Sequence, residues 1–255
     1  MMSRVSLIGA GPGDPELLTR KAWRILGEAD VVLHDALIDT DGMRSSAPDA
    51  KWVDVGKRLG QVSVEQEFIC RILVSYAKKG FNVVRLKGGD PSIFGRMTEE
   101  IDACRDAGLT VEVIPGVTSA CAAAAQIQTS LTLRGISRSV AFVTPRVGKR
   151  SIAANSEWLA VSLVAHTVVL YMASAQSKEI AEQLIAGGKS PELPVCVIEN
   201  ASLSGVCLRM SLRDLANSSL PILTGPVLLM LGEAFSTANS KYIQDVANAS
   251  KSQFA

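Results

Sequence analysis

Short apolar runs without an alternating polar face recur along the first half of the chain, and segments with apolar residues at helical spacing separate them. A run of this kind indicates a strand that is buried on both faces, as in a parallel sheet covered by helices. The predicted strands are residues 4–8, 30–33, 52–55, 83–87 and 111–114. The predicted helices are residues 16–28, about 63–79, 97–107 and an alanine-rich segment after Ser119. This alternation predicts an α/β fold with a largely parallel sheet.

The ends of these strands carry residues that a plain connection would not need. They are Gly11-Pro12-Gly13, Asp35, Lys57, Gly88-Gly89-Asp90, and Pro115-Gly116 with Thr118. In an open parallel sheet, ligands bind outside the carboxyl ends of the strands. The sequence therefore predicts one edge of the sheet that is prepared for a ligand.

The loop at 88–91 is the most informative of these strand ends. Two glycines let a ligand approach the backbone closely, and Asp90 can accept hydrogen bonds from hydroxyl groups. Arg85, Lys87 and Arg96 place cations on either side of the loop. We predict a small polar ligand here, with Arg85 and Lys87 in a structural role.

After residue 128 the pattern changes. Residues 129–138 are polar and show no clear periodicity, which predicts a linker. Further strands are predicted at 140–144, 168–171, 195–198 and 227–231, with a helix at 176–186. Residues 207–212 follow a Ser-Gly turn and are predicted to form an antiparallel strand.

The chain is therefore predicted to form two α/β domains, with a mostly parallel N-terminal sheet and a mixed C-terminal sheet. The predicted limits are 3–132 and 139–236, with a linker at 133–138 and a frayed helix or loose tail at 237–255.

The composition agrees with a globular protein, because 47% of the 255 residues are hydrophobic and 20% are charged. The mean hydropathy is +0.24, but no apolar run approaches the ~18 residues of a membrane span. A formal net charge of +1 argues against a nucleic-acid partner. The five cysteines lack metal-like spacing, and the N-terminus lacks a signal peptide, so we predict reduced thiols in a cytoplasmic protein without a metal site.

The motifs along the chain form an ordered set. They are Gly9-Ala10-Gly11-Pro12-Gly13-Asp14, Asp35 before Ala36-Leu37, Val55-Gly56-Lys57-Arg58, Val84 through Arg96, Ile114 through Ser119, Leu131-Thr132, Tyr171-Met172 and Glu199-Asn200-Ala201. In this order they resemble the tetrapyrrole methylase family, and within it the branch that acts on uroporphyrinogen III. The resemblance covers about residues 4–235.

The resemblance implies the tetrapyrrole methylase (class III methyltransferase) fold, with the active site in the cleft between two domains of a homodimer. It implies S-adenosyl-L-methionine as methyl donor and two successive methylations of uroporphyrinogen III to precorrin-2, on the way to siroheme or cobalamin. The positions that match the cofactor site of the family are Pro12, Gly88, Gly89, Asp90, Ile93, Thr118, Ser119, Met172 and Ala201.

The acceptor is rich in carboxylates and needs cations, for which arginine is best suited. The predicted substrate-binding residues are Arg58, Arg134 and Arg138. Arg96 is expected to clamp the substrate and to be oriented by Glu99, although such a pair can also be a surface ion pair. By the match to the family, Asp35 is the proton acceptor and Lys57 the proton donor.

Some positions depart from the pattern of the family and leave alternatives open. Leu133, Pro145-Arg146 and Ala173 replace a histidine, a Gly-His pair and a glycine. A family member with another ring substrate, or a tetrapyrrole-binding protein without catalysis, is therefore weighed beside the methyltransferase. An NAD-dependent oxidoreductase is disfavoured, because Pro12 removes an amide and the third glycine is misplaced for a dinucleotide.

Overall fold

The structure is a computed structural model that describes residues 4–35, 38, 40–56, 66–145, 157–218, 220–238 and 243–245. The chain divides into two compact units, Met1–Ser119 and Ala120–Ala255. The domain limits predicted from the sequence place the boundary later along the chain, in a linker at residues 133–138. These limits stay a prediction.

The first unit contains a sheet of parallel strands. Its strands are β1 (Arg4–Gly9), β2 (Val31–His34), β3 (Lys51–Asp54), β4 (Val83–Lys87) and β5 (Thr110–Ile114). Their order in the sheet is β3-β2-β4-β1-β5, and each neighbouring pair is parallel. The predicted parallel sheet is confirmed, and the carboxyl ends of these strands lie at one edge.

Helices cover both faces of this sheet. They are α1 (Arg20–Leu26), α2 (Asp41–Arg44), α3 (Gln66–Lys78) and α4 (Met97–Asp106). On one face Ile8 and Leu86 pack in a cluster with Ile25 of α1, and on the other Leu7 packs in a cluster with Leu73 of α3. Burial on both faces is why the strands read as continuous apolar runs.

The helix predicted at 16–28 is wrong in its first part. Pro15–Leu17 forms a single 3₁₀ turn capped by Asp14, and Leu18 is extended. The helix α1 begins only after Thr19, whose hydroxyl oxygen accepts a 3.1 Å hydrogen bond from the amide of Ala22. A second cap within the segment therefore separates two short elements.

The second unit contains a mixed sheet. Its strands are β6 (Val140–Val143), β7 (Thr167–Tyr171), β8 (Pro194–Glu199), β9 (Cys207–Ser211), β10 (Val227–Leu231) and β11 (Gln244–Asp245), in the order β11-β9-β8-β10-β7-β6. The central strand β10 is antiparallel to both of its neighbours, whereas β6 and β7 are parallel. The predicted mixed sheet and the antiparallel strand at β9 are confirmed.

The helices near and within the second unit are α5 (Ser119–Gln126), α6 (Glu157–Val164), α7 (Ser177–Ala186) and α8 (Leu212–Asn217). The sequence predicted α5 and α7 but missed α6 and α8. It also predicted a frayed helix or loose tail from residue 237, but Gln244–Asp245 pairs with β9. Among the helices that the structure describes, none has the length and apolar character to cross a membrane.

Candidate functional site

Backbone hydrogen bonds join the loops that follow β1 and β4. The amide of Gly89 donates to the carbonyl oxygen of Gly11 at 2.7 Å, and the amide of Gly11 donates back to Gly89 at 3.2 Å. The amide of Ala10 also donates to the carbonyl oxygen of Lys87 at 2.7 Å. The Gly-Pro-Gly turn and the Gly-Gly-Asp loop are therefore held together by backbone hydrogen bonds at the edge of the sheet.

The loop after β5 approaches this surface through Gly116. A Cβ atom at Gly116 would overlap the carbonyl oxygen of Gly89 and lie 2.8 Å from the Cα of Gly9. Only a glycine allows such a close approach of backbone to backbone. The backbones of the loops after β1, β4 and β5 are thus in direct contact at these glycines.

Gly88 differs from Gly116 because nothing around it requires a glycine. Within the described part of the chain, a Cβ atom at Gly88 would meet no atom within 4 Å, and its φ lies outside the left-handed region. The residue is exposed at the edge where the predicted ligand would bind. A glycine without an internal reason at this position indicates close approach by a ligand.

Asp90 has an internal role that the sequence did not reveal. Its Oδ2 accepts a 2.9 Å hydrogen bond from the amide of Gly116, and its Oδ1 accepts from both the amide and the hydroxyl of Ser92. Burial acts to raise the pKa of Asp90, but the hydrogen bonds from Ser92 and Gly116 outweigh it and hold the pKa below its usual value. The carboxylate therefore ties the loop after β4 to the loop after β5.

Because the pKa of Asp90 is lower in the folded chain, its contribution to stability should be present above the ordinary value of 3.8 and be lost at lower pH. We expect Asp90→Asn to lower the free energy of unfolding at pH 7 by roughly 1 to 2 kcal/mol, since one amide cannot accept at both positions. Urea titrations at several pH values would measure this. The difference from the wild type should narrow as the pH falls below 3.8, and a constant difference would contradict the assignment.

The other predicted cofactor residues of the first unit lie on the same loops. Ser119 Oγ would be 3.8 Å from a Cβ atom at Gly89, and Thr118 Cα would be 4.0 Å from it. Pro12 lies within the Gly-Pro-Gly turn, and Ile93 follows Asp90 in a turn closed by a 3.1 Å backbone hydrogen bond. The structure therefore brings the first-unit members of the predicted set together at the carboxyl edge.

Arg96 and Glu99 form the pair that the sequence predicted. The Nε and Nη2 atoms of Arg96 donate to the two carboxylate oxygens of Glu99 at 2.7 and 2.6 Å, and both side chains are 49% exposed. Arg96 has a left-handed φ of 53° immediately before α4. Strained, exposed cations of this kind are common at binding sites. The role of the pair in substrate binding stays a prediction.

Asp35 follows β2 and is bound to a charged network beneath the edge. Arg85 Nη2 donates to Asp35 Oδ1, and Arg85 Nε donates to Glu100 Oε1 at 3.1 Å. Lys87 Nζ and Gln66 Nε2 donate to the same oxygen of Glu100 at 2.9 and 3.0 Å. Both Arg85 and Lys87 are buried in ion pairs and do not face the ligand edge as free cations.

Burial acts to lower the pKa of both cations of this network, but their net shifts have opposite directions. Burial acts to lower the pKa of Arg85, but the charges of Asp35 and Glu100 raise it above its usual value. Burial lowers the pKa of Lys87, and the nearby charge of Arg85 lowers it further. The negative charge of Glu100 acts in the opposite direction but does not cancel these effects. The sequence analysis missed Glu100. The available signal was that Arg85 and Lys87 share one face of β4 and need an acid there.

The second unit carries the remaining predicted residues. Met172 and Ala201 follow β7 and β8, the two strands that flank β10. Met172 has a left-handed φ of 56° and is 52% exposed, and Asn200 before Ala201 has a φ of 50°. Backbone strain at both strand ends is again typical of a functional site.

The predicted substrate-binding arginines and the predicted proton donor are not brought to a common site by the described residues. Arg134 and Arg138 are exposed around a turn in which Leu133 pairs with Ser137. Lys57 and Arg58 lie outside the described residues, so their predicted roles have no structural description. Within the part of the chain that is described, no group of three His, Cys, Asp or Glu side chains could hold a metal ion.

Residues 4–216 match the model of the Tetrapyrrole (Corrin/Porphyrin) Methylases. The chain belongs to this family, which confirms the resemblance inferred from its motifs. The structure also resembles that of uroporphyrin-III C-methyl transferase from Thermus thermophilus in complex with S-adenyl homocysteine. The TM-score is 0.76 at 36% sequence identity, over 92% of this chain and 94% of that one.

Relatives of two lengths are similar in sequence. The uroporphyrinogen-III C-methyltransferase of Pseudomonas aeruginosa is 42% identical over 238 residues, which are 91% of this chain and 94% of the relative. The siroheme synthase of Psychromonas ingrahamii is 38% identical over 235 residues, which are 92% of this chain but 49% of the relative. The chain thus spans about half the length of the siroheme synthase that it matches.

Proposed function

We propose that this protein is an S-adenosyl-L-methionine-dependent C-methyltransferase that methylates uroporphyrinogen III twice to give precorrin-2. The observation that carries the proposal is the exposed backbone at Gly88, beside the strand-end loops after β1, β4 and β5 that are in backbone contact. Its similarity to an uroporphyrinogen-III C-methyltransferase supports the choice of substrate. Precorrin-2 would supply the synthesis of siroheme- or cobalamin-type tetrapyrroles.

The residues present fit the proposed donor. An exposed glycine backbone can contact a nucleoside, and a carboxylate has about four acceptor positions, of which Asp90 uses three internally. One position is left for a ribose hydroxyl. The proposed donor residues are those named from the resemblance: Pro12, Gly88, Gly89, Asp90, Ile93, Thr118, Ser119, Met172 and Ala201.

The sulfonium of the donor supplies an activated methyl group, so the protein needs no nucleophile of its own. Its residues must align the acceptor carbon with the methyl group and exclude water. We propose that Arg96, oriented by Glu99, and Arg58, Arg134 and Arg138 bind the carboxylates of the acceptor. Transfer of the methyl group to a pyrrole carbon leaves a cationic macrocycle that must lose a proton from another position. We propose Asp35 as the acceptor of that proton, with Lys57 as proton donor.

The function is tested by incubating the protein with S-adenosyl-L-methionine and freshly reduced uroporphyrinogen III. Mass spectrometry should detect a tetrapyrrole with two added methyl groups. The absence of any methylated tetrapyrrole would overturn the proposal. Turnover of a different ring substrate in a panel would identify another member of the family, and donor binding without turnover would identify a binding protein.

Gly88→Val should weaken donor binding without loss of stability. The side chain would extend into the open surface that we assign to the nucleoside, so the Kd for S-adenosylhomocysteine should rise about tenfold, as for roughly 1.4 kcal/mol of lost binding energy. Isothermal titration calorimetry measures this. The control is Gly108→Ala, a glycine with a φ of 74° away from the edge, which should lower stability and leave the Kd unchanged.

We also propose that the protein works as a homodimer in the cytoplasm and that its domains have the limits 3–132 and 139–236. The family resemblance supports the dimer, and the five scattered cysteines, which form no disulfide in the described residues, support a reducing compartment. Light scattering of the purified protein at micromolar concentration should give the mass of a dimer. A monomer at that concentration would contradict the assembly and leave the chemistry unaffected.

A further inference from the structure

Asp35 is the exposed end of a charged network whose other ionised members are buried. The side chain of Asp35 is 32% exposed, whereas those of Arg85 and Glu100 are 2% and 0% exposed. Lys87 is also buried and binds the same oxygen of Glu100 as Arg85 does. The network therefore connects the carboxyl edge of the sheet to the interior between β4, α3 and α4.

Stability alone gives no reason to retain these charges in the core. Burying an ion pair costs solvation that the attraction often fails to repay, and apolar residues of similar size are frequently as stable. The cost is incompletely offset here, because Glu100 Oε2 is buried and has no hydrogen-bond partner in the described part of the chain. The network is more easily explained by what it does to Asp35.

The contacts of Arg85 hold its guanidinium group in one orientation. Nε binds Glu100, and Nη1 donates to the carbonyl oxygens of Leu86 and Leu33 at 3.0 and 3.4 Å. Nη2 then points to Asp35 Oδ1. Glu100 is itself held by Gln66 and Lys87 through its Oε1.

This arrangement determines the orientation of the Asp35 carboxylate. The bond to Arg85 occupies Oδ1, and Oδ2 makes no hydrogen bond to a described residue. Leu33, which accepts from Arg85, lies in β2 just before Asp35, so the same guanidinium group holds the strand end and the side chain. The planar guanidinium group of an arginine can donate to all of these acceptors at once, but a lysine ammonium group cannot reach the same set.

We propose that Arg85 is a positioning residue that directs Oδ2 of Asp35 toward the acceptor, and that Glu100 holds Arg85 in place. The inference rests on the proposed function. The methylated macrocycle carries one positive charge and loses one proton, and Asp35 Oδ2 takes that proton to become a carboxylic acid. The electron pair of the broken C–H bond stays on the macrocycle, so no oxidant or reductant is required.

The test is a double-mutant cycle between Arg85→Met and Asp35→Asn, measured by steady-state methylation of uroporphyrinogen III. Misplacement of a catalytic group by about 1 Å can cost about 10²-fold in rate, so Arg85→Met should lower kcat by about 10 to 100-fold. The KM for the donor should not change. In the Asp35→Asn background the same substitution should change kcat by less than about threefold, because its effect acts through Asp35.

Conservative variants distinguish a loss of kcat caused by misplacement of Asp35 from one caused by misfolding. Arg85→Lys keeps the charge but not the fork, and should give a kcat between those of the wild type and Arg85→Met. If Arg85→Met does not fold, Arg85→Gln combined with Glu100→Gln removes one cation and one anion together, and should lower kcat in the same way. Arg105→Met, which breaks an exposed pair with Asp102 on α4, is the control and should leave kcat unchanged.

The outcomes are distinguishable. Equal losses of kcat from Arg85→Met with and without Asp35, or wild-type kcat in folded Arg85 variants, would overturn the inference while the proposed function stands. A wild-type protein without methylation activity would overturn the proposed function and this inference together.

Discussion

Asp35→Asn is expected to lower the kcat for methylation of uroporphyrinogen III by about 10² to 10⁴-fold, the range attributed to a general base. The amide cannot take up the proton that the methylated acceptor must lose. The substitution keeps the size of the side chain and leaves an oxygen for the bond from Arg85. Calorimetry with S-adenosylhomocysteine should therefore give an unchanged Kd, which would show that the donor site is intact.

The matched control is Asp30→Asn, at the opposite end of the strand that precedes Asp35. Asp30 Oδ2 accepts a 2.7 Å hydrogen bond from the amide of Asn82 at the amino edge of the sheet, far from the loops described above. This variant should lose some stability and retain kcat. If Asp35→Asn retains kcat in a protein that methylates uroporphyrinogen III, the proton is accepted by another group and the assignment is wrong.

Gly116→Ala is expected to give the largest loss of stability among the substitutions at the carboxyl edge. The added methyl group would overlap the carbonyl oxygen of Gly89 and crowd the Cα of Gly9, and neither is the flexible end of a side chain. Overpacking of this kind costs about 1 to 3 kcal/mol and occasionally more, and we expect about 3 kcal/mol here. The free energy of unfolding from a urea titration measures the loss.

The comparison variant is Gly88→Ala, because a methyl group there meets no atom within 4 Å in the described part of the chain. Its stability should equal that of the wild type within about 0.5 kcal/mol, as for a surface substitution. Equal losses in the two variants would contradict the conclusion that the loops after β1, β4 and β5 are in backbone contact. In Gly116→Ala, donor binding should also weaken, since the displaced loop carries Gly89.

Much of the first unit could be predicted because its strands have a recognisable pattern in short stretches of the sequence. A strand covered on both faces must be a continuous apolar run, and the predicted strands agree with β1 to β5 to within one residue at each end. The glycine and acid motifs at the strand ends also lie in short stretches of sequence. The parallel order then places them at one edge.

The second unit was harder to predict because its signals are weaker. β10 is as apolar as a parallel strand, so its antiparallel direction could not be inferred from its own residues. The helix α6 has apolar residues on nearly all sides and lacks the periodicity that identifies a surface helix. The strand β11 has only two residues, too few for any pattern.

The fold class and the family could be inferred from the residues alone, because they depend on local runs and on motifs in a definite order. The same motifs indicate the edge at which we propose that a ligand binds. The three-dimensional fold was needed to show which charged groups are buried together. Arg85 meets Asp35 and Leu33 across a separation of about 50 positions, Gln66 meets Glu100 across 34, and Gly116 meets Asp90 across 26. Such pairings follow from the order of the strands in the sheet and from the packing of α3 against α4, since a buried charge or amide must find its partner wherever the fold places one.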